Sequence, residues 1–325
     1  MLHVSERGRP APAQLNNRKR PRLFWRTIKT ALLTFALLLG VGLGYLYVSN
    51  GTFRETLSIV VRGDYSTAKA FPGVEEINIL IIGRDVDRDR RGSVINTYGR
   101  ADAIMLAHLN FADKTANLLS IPRDTLVHIP GYRGKHKINA ANAYGGPELA
   151  VDTVAQFLGV RPDVYVALDY EGFVKVIDHM GGLDIKVGNQ LDYDDNWGKL
   201  HIHLKPGLQR LDGYQCMGFV RYRKSNNGHA DSDVERIARQ QEFVRAAKRT
   251  LTSPSALIKG PQSLRLVREH LNSALSYKQM LALMYFVKQL SQGSIRMETL
   301  PNEQGRVFVK ADEDATRELV RRMFY

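Results

Sequence analysis

The residues of this 325-residue chain best suited to chemistry are arginines with a few carboxylates beside them. Arg100, Arg123, Arg221, Arg223 and Arg236 stand near the ends of strand-like or helix-like segments, close in sequence to Asp85, Asp102 or Asp124. Arginine presents a planar, permanently charged fork that matches phosphate oxygens. Several converging on carboxylates would form a site for a phosphorylated or pyrophosphorylated ligand, with a divalent metal. No Ser-His-Asp or Cys-His pattern accompanies them.

The surrounding pattern says how these groups are presented. Ile77–Ile82 reads as a buried strand running into Gly83-Arg84-Asp85, and Ala103–Leu109 as a second strand starting just after Arg100-Ala-Asp102. As antiparallel neighbours they would bring Asp85 and Asp102 to one sheet edge. Two carboxylates beside phosphate oxygens are a common way to hold Mg2+, while capping of turn backbone is the plainer role for both. Arg123 and Asp124 follow a third strand, Ala116–Ile121, in a strand-end loop of the kind that often touches ligands. A surface ion pair is the alternative. Cys216–Tyr222 also reads as a strand. That places Arg221 and Arg223 on one face at period two, where their mutual repulsion calls for an anion or else for open solvent. On a helix starting at Asp233, Arg236 and Gln240 share a face near the N-terminus, which favours anions. Arg239, Arg245 and Arg249 fit a solvated face. Lys135-His-Lys137 sits in a glycine-flanked loop able to fold over a phosphate or simply to face solvent. His201 and His203 share a strand face, but no third ligand lies near in sequence, which argues against zinc.

Further helices are expected at 147–158, 170–179, 276–291 and 312–324, with strands at 164–168 and 295–300. Alternation of this kind predicts an α/β, three-layer α-β-α sandwich around a central mixed sheet. Formal net charge is +13, and residues 1–30 hold +7 of it. A nucleic-acid binder would carry that excess on its folded domain. Here it precedes Ala31–Val48, a largely apolar stretch of 18 residues without charge, long enough for a transmembrane anchor. Basic flanks stay cytoplasmic, so the reading is a cytoplasmic tail (1–25), an anchor (26–49), a connector (50–75) and an extracytoplasmic domain (76–325). A cleaved signal peptide would have a shorter apolar run and small-x-small residues at its end. Cys216 is the only cysteine, so no intramolecular disulfide forms, which suits a bacterial envelope protein and a small buried hydrophobe at 216.

Taken in order, Ile79-Leu-Ile-Ile-Gly-Arg-Asp85, Gly99-Arg-Ala-Asp102, Ser120-Ile-Pro-Arg-Asp-Thr125, Ile129-Pro-Gly-Tyr132, Lys137-Ile-Asn-Ala-Ala141, Ala143-Tyr-Gly-Gly-Pro-Glu148, Asp169-Tyr-Glu-Gly-Phe173, Phe219-Val-Arg-Tyr-Arg-Lys224 and Asp233-Val-Glu-Arg-Ile-Ala-Arg-Gln-Gln241 resemble the LytR-CpsA-Psr family of envelope phosphotransferases. The resemblance implies transfer of an anionic glycopolymer from a polyprenyl-(pyro)phosphate carrier to a peptidoglycan acceptor at the membrane lipid, with Mg2+ (or Mn2+) and no nucleic acid. It implies metal ligation by Asp85 and Asp102. It also implies a clamp of Arg100, Arg123, Arg221 and Arg223, completed by Arg236, Gln240 and Lys137, and a lipid cleft lined by the helices at 147–158 and 171–180. Asp124, or a water beside Asp85, is the candidate base. A lipid-carrier pyrophosphatase and a non-enzymatic regulator are the alternatives. Two segments depart from the family pattern: the charged stretch between Asp85 and Arg100, and the loop at 224–232.

Overall fold

The structure is a computed structural model. It describes residues 66–84, 87–88, 94–96, 98–196, 200–222, 225–226, 228, 233–251, 270–291, 293–304 and 308–325, with scattered helical residues between Gly40 and Arg54. The chain divides into two units, 1–54 and 55–325. Most of the expected tail and anchor lies outside the described residues. Among those described, no helix is long and apolar enough to cross a membrane.

The six strands of the central sheet are β1 (Glu76–Arg84), β4 (Ala101–Asn110), β5 (Thr115–Ile121), β8 (Val164–Asp169), β13 (Leu271–Ser273) and β14 (Ile295–Thr299), in the order β13-β8-β1-β4-β5-β14. β1 pairs antiparallel with β4 and parallel with β8, so the sheet is mixed. Apolar residues run almost unbroken through β1 because both its faces are covered. Leu80 and Ile82 pack with Leu106, Leu119, Val154 and Leu319 on one side. Ile77 and Ile79 pack with Ala107, Leu109 and Phe286 on the other.

Helix α2 (Asn139–Leu158) covers the first face together with α7 (Glu313–Phe324). α2 is broken at Gly145 and Gly146, the latter at φ 75°, and Pro147 follows the break. Proline needs no amide donor at a first helical turn. The second face is covered by α6 (Tyr277–Gln289), which opens on a Ser276/Gln279 capping box, and by the short helix α1 (Thr67–Ala70). The end of the expected connector thus belongs to the folded core: Ala70 and Phe71 are buried, and the Phe71 ring lies 5.4 Å from Phe111.

Four further strands form two pairs: β9 (Leu183–Val187) with β12 (Gly207–Leu211), and β10 (Leu191–Asp195) with β11 (Leu200–Leu204), the strand expected to carry His201 and His203. Their alternating residues, including Leu183, Ile185, Ile202 and Leu204, bury against Cys216 and Phe219. Burial pushes the Cys216 thiol up to about 12, consistent with an inert apolar role.

The segment expected as a strand at 216–222 is instead a helix, α4 (Gly213–Arg221). Asp212 accepts from the Gln215 amide while the Gln215 side chain returns to the Asp212 amide. Cys216 and Phe219, three apart, then share the buried face. This capping box outweighs the strand preference of Phe219-Val-Arg-Tyr. Arg221 is therefore the last helical residue, and Arg221 and Arg223 are not period-two neighbours on a strand. α4 docks closely on α3 (Tyr170–Met180): a Cβ on Gly213 would meet the Val174 carbonyl oxygen at 2.4 Å. Gly213→Ala is expected to cost about 1–3 kcal/mol. A thermal melt checks this, and an unchanged midpoint would contradict the contact.

Candidate active site

Asp102 is the centre of the site. It lies second on β4, and the irregular pairing of β1 with β4 falls between Gly83 and Arg84, opposite Ala103 and Ala101. Such irregularities commonly re-aim side chains at sheet edges. Asp102 Oδ1 accepts from Arg123 Nη1 at 2.6 Å. Its Oδ2 accepts from the Tyr170 hydroxyl at 2.7 Å and lies 3.6 Å from Arg221 Nη2. The Arg221 guanidinium stands over the Tyr170 ring, 4.6 Å from its centroid, within cation–π range.

Arg123 is aimed by a tied loop. The buried Thr125 hydroxyl and amide both donate to the Pro122 carbonyl, and the Asn139 amide donates to the Arg123 carbonyl. Asp124 continues the charge chain: Lys137 Nζ is 2.8 Å from its Oδ1, and Arg123 Nε is 3.6 Å from its Oδ2. Lys137 ends β7 (Lys135–Lys137), which pairs with β6 (Leu126–His128), so the basic segment is a short hairpin arm. Burial opposes the charge on Arg123, but the attraction and hydrogen bond of Asp102, with Asp124 adding, raise its pKa above the ordinary value. Arg123 Nε is buried and makes no hydrogen bond, so the guanidinium is not saturated by its carboxylates.

Arg100 is exposed at the start of β4. Just before it, the buried Asn142 amide donates to the carbonyls of Tyr98 and Gly99, at 2.6 and 3.0 Å. On α5 (Asp233–Leu251), Arg236 and Gln240 are half-buried. Asp85 and Arg223 lie outside the described residues.

Two residues without a role in the sequence reading prove central. Tyr170 links Asp102 to Arg221. Arg239, expected on a solvated face, is only 8% exposed: its Nη2 donates to the Tyr222 carbonyl at 2.7 Å and its guanidinium lies over the Tyr222 ring. It thereby holds the turn that follows Arg221. A signal was available, because Arg239, Phe243 and Ala246 follow at three- and four-residue spacing and so lie on one docking stripe of α5. Arg245 and Arg249, by contrast, pair with Glu242 near the surface, as a solvated face would have them.

The sheet also presents apolar surface. By strand alternation Ile81 shares the face of Ile77 and Ile79, yet it is 37% exposed. Its register partners Met105 and Val166 are half-buried, and Ala103 beyond them is exposed. The helix at 147–158 does not line this surface. Its Ala150, Val151 and Val154 are packed into the core on the opposite face with Leu80 and Leu106.

Replacing Tyr170 separates its two contacts. Tyr170→Phe should slow any reaction at this site by about ten- to a hundredfold, since one hydrogen bond to a charged carboxylate is lost, worth about 1.5–3 kcal/mol. Tyr170→Leu should slow it further by also removing the ring beneath Arg221. Equal rates for the two variants would exclude the ring contact as a contributor.

The site is thus an Asp-centred arginine cluster at one end of a mixed α/β sheet. The chain matches the model of the LytR_cpsA_psr family over residues 54–323 and belongs to that family. It is 31% identical over 306 residues, 91% of its own length and 92% of the relative's, to the polyisoprenyl-teichoic acid–peptidoglycan teichoic acid transferase TagT of Bacillus subtilis. It is 33% identical over 198 residues to the regulatory protein MsrR of Staphylococcus aureus, a match covering 61% of this chain but only 56% of that relative. Among solved structures, TagV of B. subtilis superposes with a TM-score of 0.62 at 26% identity, covering 77% of this chain and 96% of TagV. TagT bound to LIIa-WTA superposes at 0.58 and 28% identity, covering 78% and 91%.

Proposed function

We propose that this protein transfers an anionic glycopolymer from a polyprenyl-pyrophosphate carrier to a peptidoglycan hydroxyl, from the outer side of a membrane in which residues 26–49 anchor it. The observation that carries the reading is Asp102 gathering Arg123, Arg221 and Tyr170 within 3.6 Å at one end of the sheet. The likeness to a named teichoic acid transferase along nearly the whole chain supports it.

Arg123, Arg221 and Lys137 oppose Asp102 and Asp124, so the described cluster carries one net positive charge. Arg100, Arg223 and Arg236 add to it as the wider clamp, with Gln240 as a neutral donor. A pyrophosphate diester, with two negative charges, suits such a site. Phosphoryl transfer needs chiefly positioning and charge neutralisation and no protein nucleophile. The acceptor hydroxyl oxygen would bond to the sugar-side phosphorus, and the bond from that phosphorus to the bridging oxygen would break. Polyprenyl phosphate leaves, and the acceptor proton passes to solvent or a carboxylate. Arg123 and Arg221 would stabilise charge building on the leaving phosphate. Asp124, engaged by Lys137 and Arg123, would orient these two cations and stands as the candidate base. The lipid would lie along the Ile81–Met105–Val166 surface.

Mg2+ fits Asp102, with Asp85 as a second ligand, because this ion is often held by one or two carboxylates plus substrate phosphates. Both Asp102 oxygens accept one close hydrogen bond each, which leaves each of them further acceptor capacity. When bound, the ion would supply further neutralisation of phosphate charge.

Mass spectrometry of protein purified from native membranes tests the reading. Wild-type protein should retain a polyprenyl phosphate or pyrophosphate, and an Arg123→Ala/Arg221→Ala variant should not. The same lipid content in both would contradict the site.

A further inference from the structure

We infer that the β10–β11 hairpin carries a separate metal site, for a zinc-class divalent ion, built from Asp192, Asp194 and His203. In the linear sequence the two histidines of β11 lack a third ligand. The fold supplies it across the hairpin. Asp192 pairs with His203 and Asp194 with His201 in the antiparallel register, so alternation places all four side chains on one face. On the other face Leu191, Leu200, Ile202 and Leu204 are buried.

The spacing is that of ligands. One donor atom from each of Asp192, Asp194 and His203 lies within 4.8 Å of the other two. His203 Nε2 and Asp194 Oδ1 are 3.2 Å apart. Two ligands on a tetrahedral zinc, each about 2.0–2.1 Å from the metal, stand about 3.3 Å apart. Asp192 Oδ1 lies 2.6 Å from His203 Nδ1. An imidazole with two carboxylates selects zinc, copper or nickel over the oxygen-seeking Mg2+ and Ca2+. All four side chains are at least 39% exposed, so an ion reaches them directly from solvent.

The hairpin is also held in place from a second segment. Asn226 accepts from the Asp194 amide at 2.8 Å, donates through Nδ2 to Asp194 Oδ2 at 3.1 Å, and donates its own amide to the Asp192 carbonyl at 2.9 Å. Asn226 lies in the stretch that follows Arg221 and Arg223. His201 steadies Asp194 from the other strand, with Nδ1 2.6 Å from Oδ1.

The experiment is titration of the tag-free full-length chain with Zn2+ alone by calorimetry, repeated with Co2+ by visible absorption. Three variants are compared: Asp102→Ala, which removes the carboxylate of the anion site, Asp192→Ala/His203→Ala, and His201→Ala. Wild type and Asp102→Ala should each bind one equivalent with the intense visible bands of Co2+ in low coordination. The double variant should bind at least about tenfold more weakly, a loss of the size seen when metal-site contacts are removed, and His201→Ala less so. A circular dichroism melt matching wild type shows that the double variant is folded. Absence of binding by wild type, or undiminished binding by the folded double variant, would leave these residues as a cross-strand ion-pair ladder and overturn the proposal.

Discussion

Arg123→Ala is expected to lower the transfer rate by about 10²- to 10³-fold, the loss seen when one preorganised charge-stabilising donor is removed. The side chain enters the site from a loop whose shape does not depend on it. The Thr125 hydroxyl and the Asn139 amide hold the backbone through other atoms. The ion pair with Asp102 joins partners whose side chains are 38% and 18% exposed, so its loss should cost stability about 1 kcal/mol or less. Activity should therefore collapse in a folded protein. Arg123→Lys should recover only a small part, because an ammonium cannot reach Asp102 and a phosphate oxygen with one planar fork. Arg245→Ala is the matched control: its partner is Glu242, and its rate should stay near wild type. Steady-state kinetics with a short-chain lipid-pyrophosphate donor checks all three, and a normal rate in Arg123→Ala would remove this residue from the mechanism.

Asp102→Asn should be equally slow but with the opposite effect on binding. The amide keeps an acceptor for Tyr170 and removes the negative charge that Arg123 and Arg221 share. The site then gains one unit of positive charge, so it should hold a lipid phosphate at least as tightly as wild type while turning over about 10²-fold more slowly. Arg123→Ala should instead lose both retention and rate. Asp102→Ala goes further by leaving two guanidinium groups without their carboxylate, and should also lower stability by about 1–3 kcal/mol. Lipid content by mass spectrometry, set beside single-turnover rates, separates the cases. Equal loss of lipid from Asp102→Asn and Arg123→Ala would mean that Asp102 acts by holding the site together rather than by balancing its charge.

The strands around Asp102 were legible because they are continuous apolar runs punctuated by turn residues. The turn Asn110–Thr115 joins two of these runs as an antiparallel pair. Helices opening at Ser276 and Asp312 carry side-chain caps that can be read from sequence. Arg123 could be nominated because a strand end and Pro122 frame it. Arg221 reaches the site by a different route from the one its neighbours suggest. Aromatic and β-branched neighbours suggested a strand, whereas Asp212 and Gln215 make a helix whose last residue delivers the guanidinium to Asp102. Tyr170 and Arg239 went unnoticed because their partners are created by folding. The first meets a carboxylate 68 positions away, and the second a carbonyl at the end of another helix. The same holds for His203, whose candidate fellow ligands appear only once β10 lies beside β11.

In the proposed reaction this arginine–aspartate cluster moves a glycan phosphate from a lipid carrier to the wall. The direct test is a reconstituted reaction in which the donor is labelled at its sugar-side phosphorus and offered with peptidoglycan. Wild-type protein should join label to peptidoglycan as a phosphodiester, with one polyprenyl phosphate released per link, and Arg123→Ala should form neither product. Label released by wild-type protein as free phosphorylated glycan, with none on peptidoglycan, would contradict it.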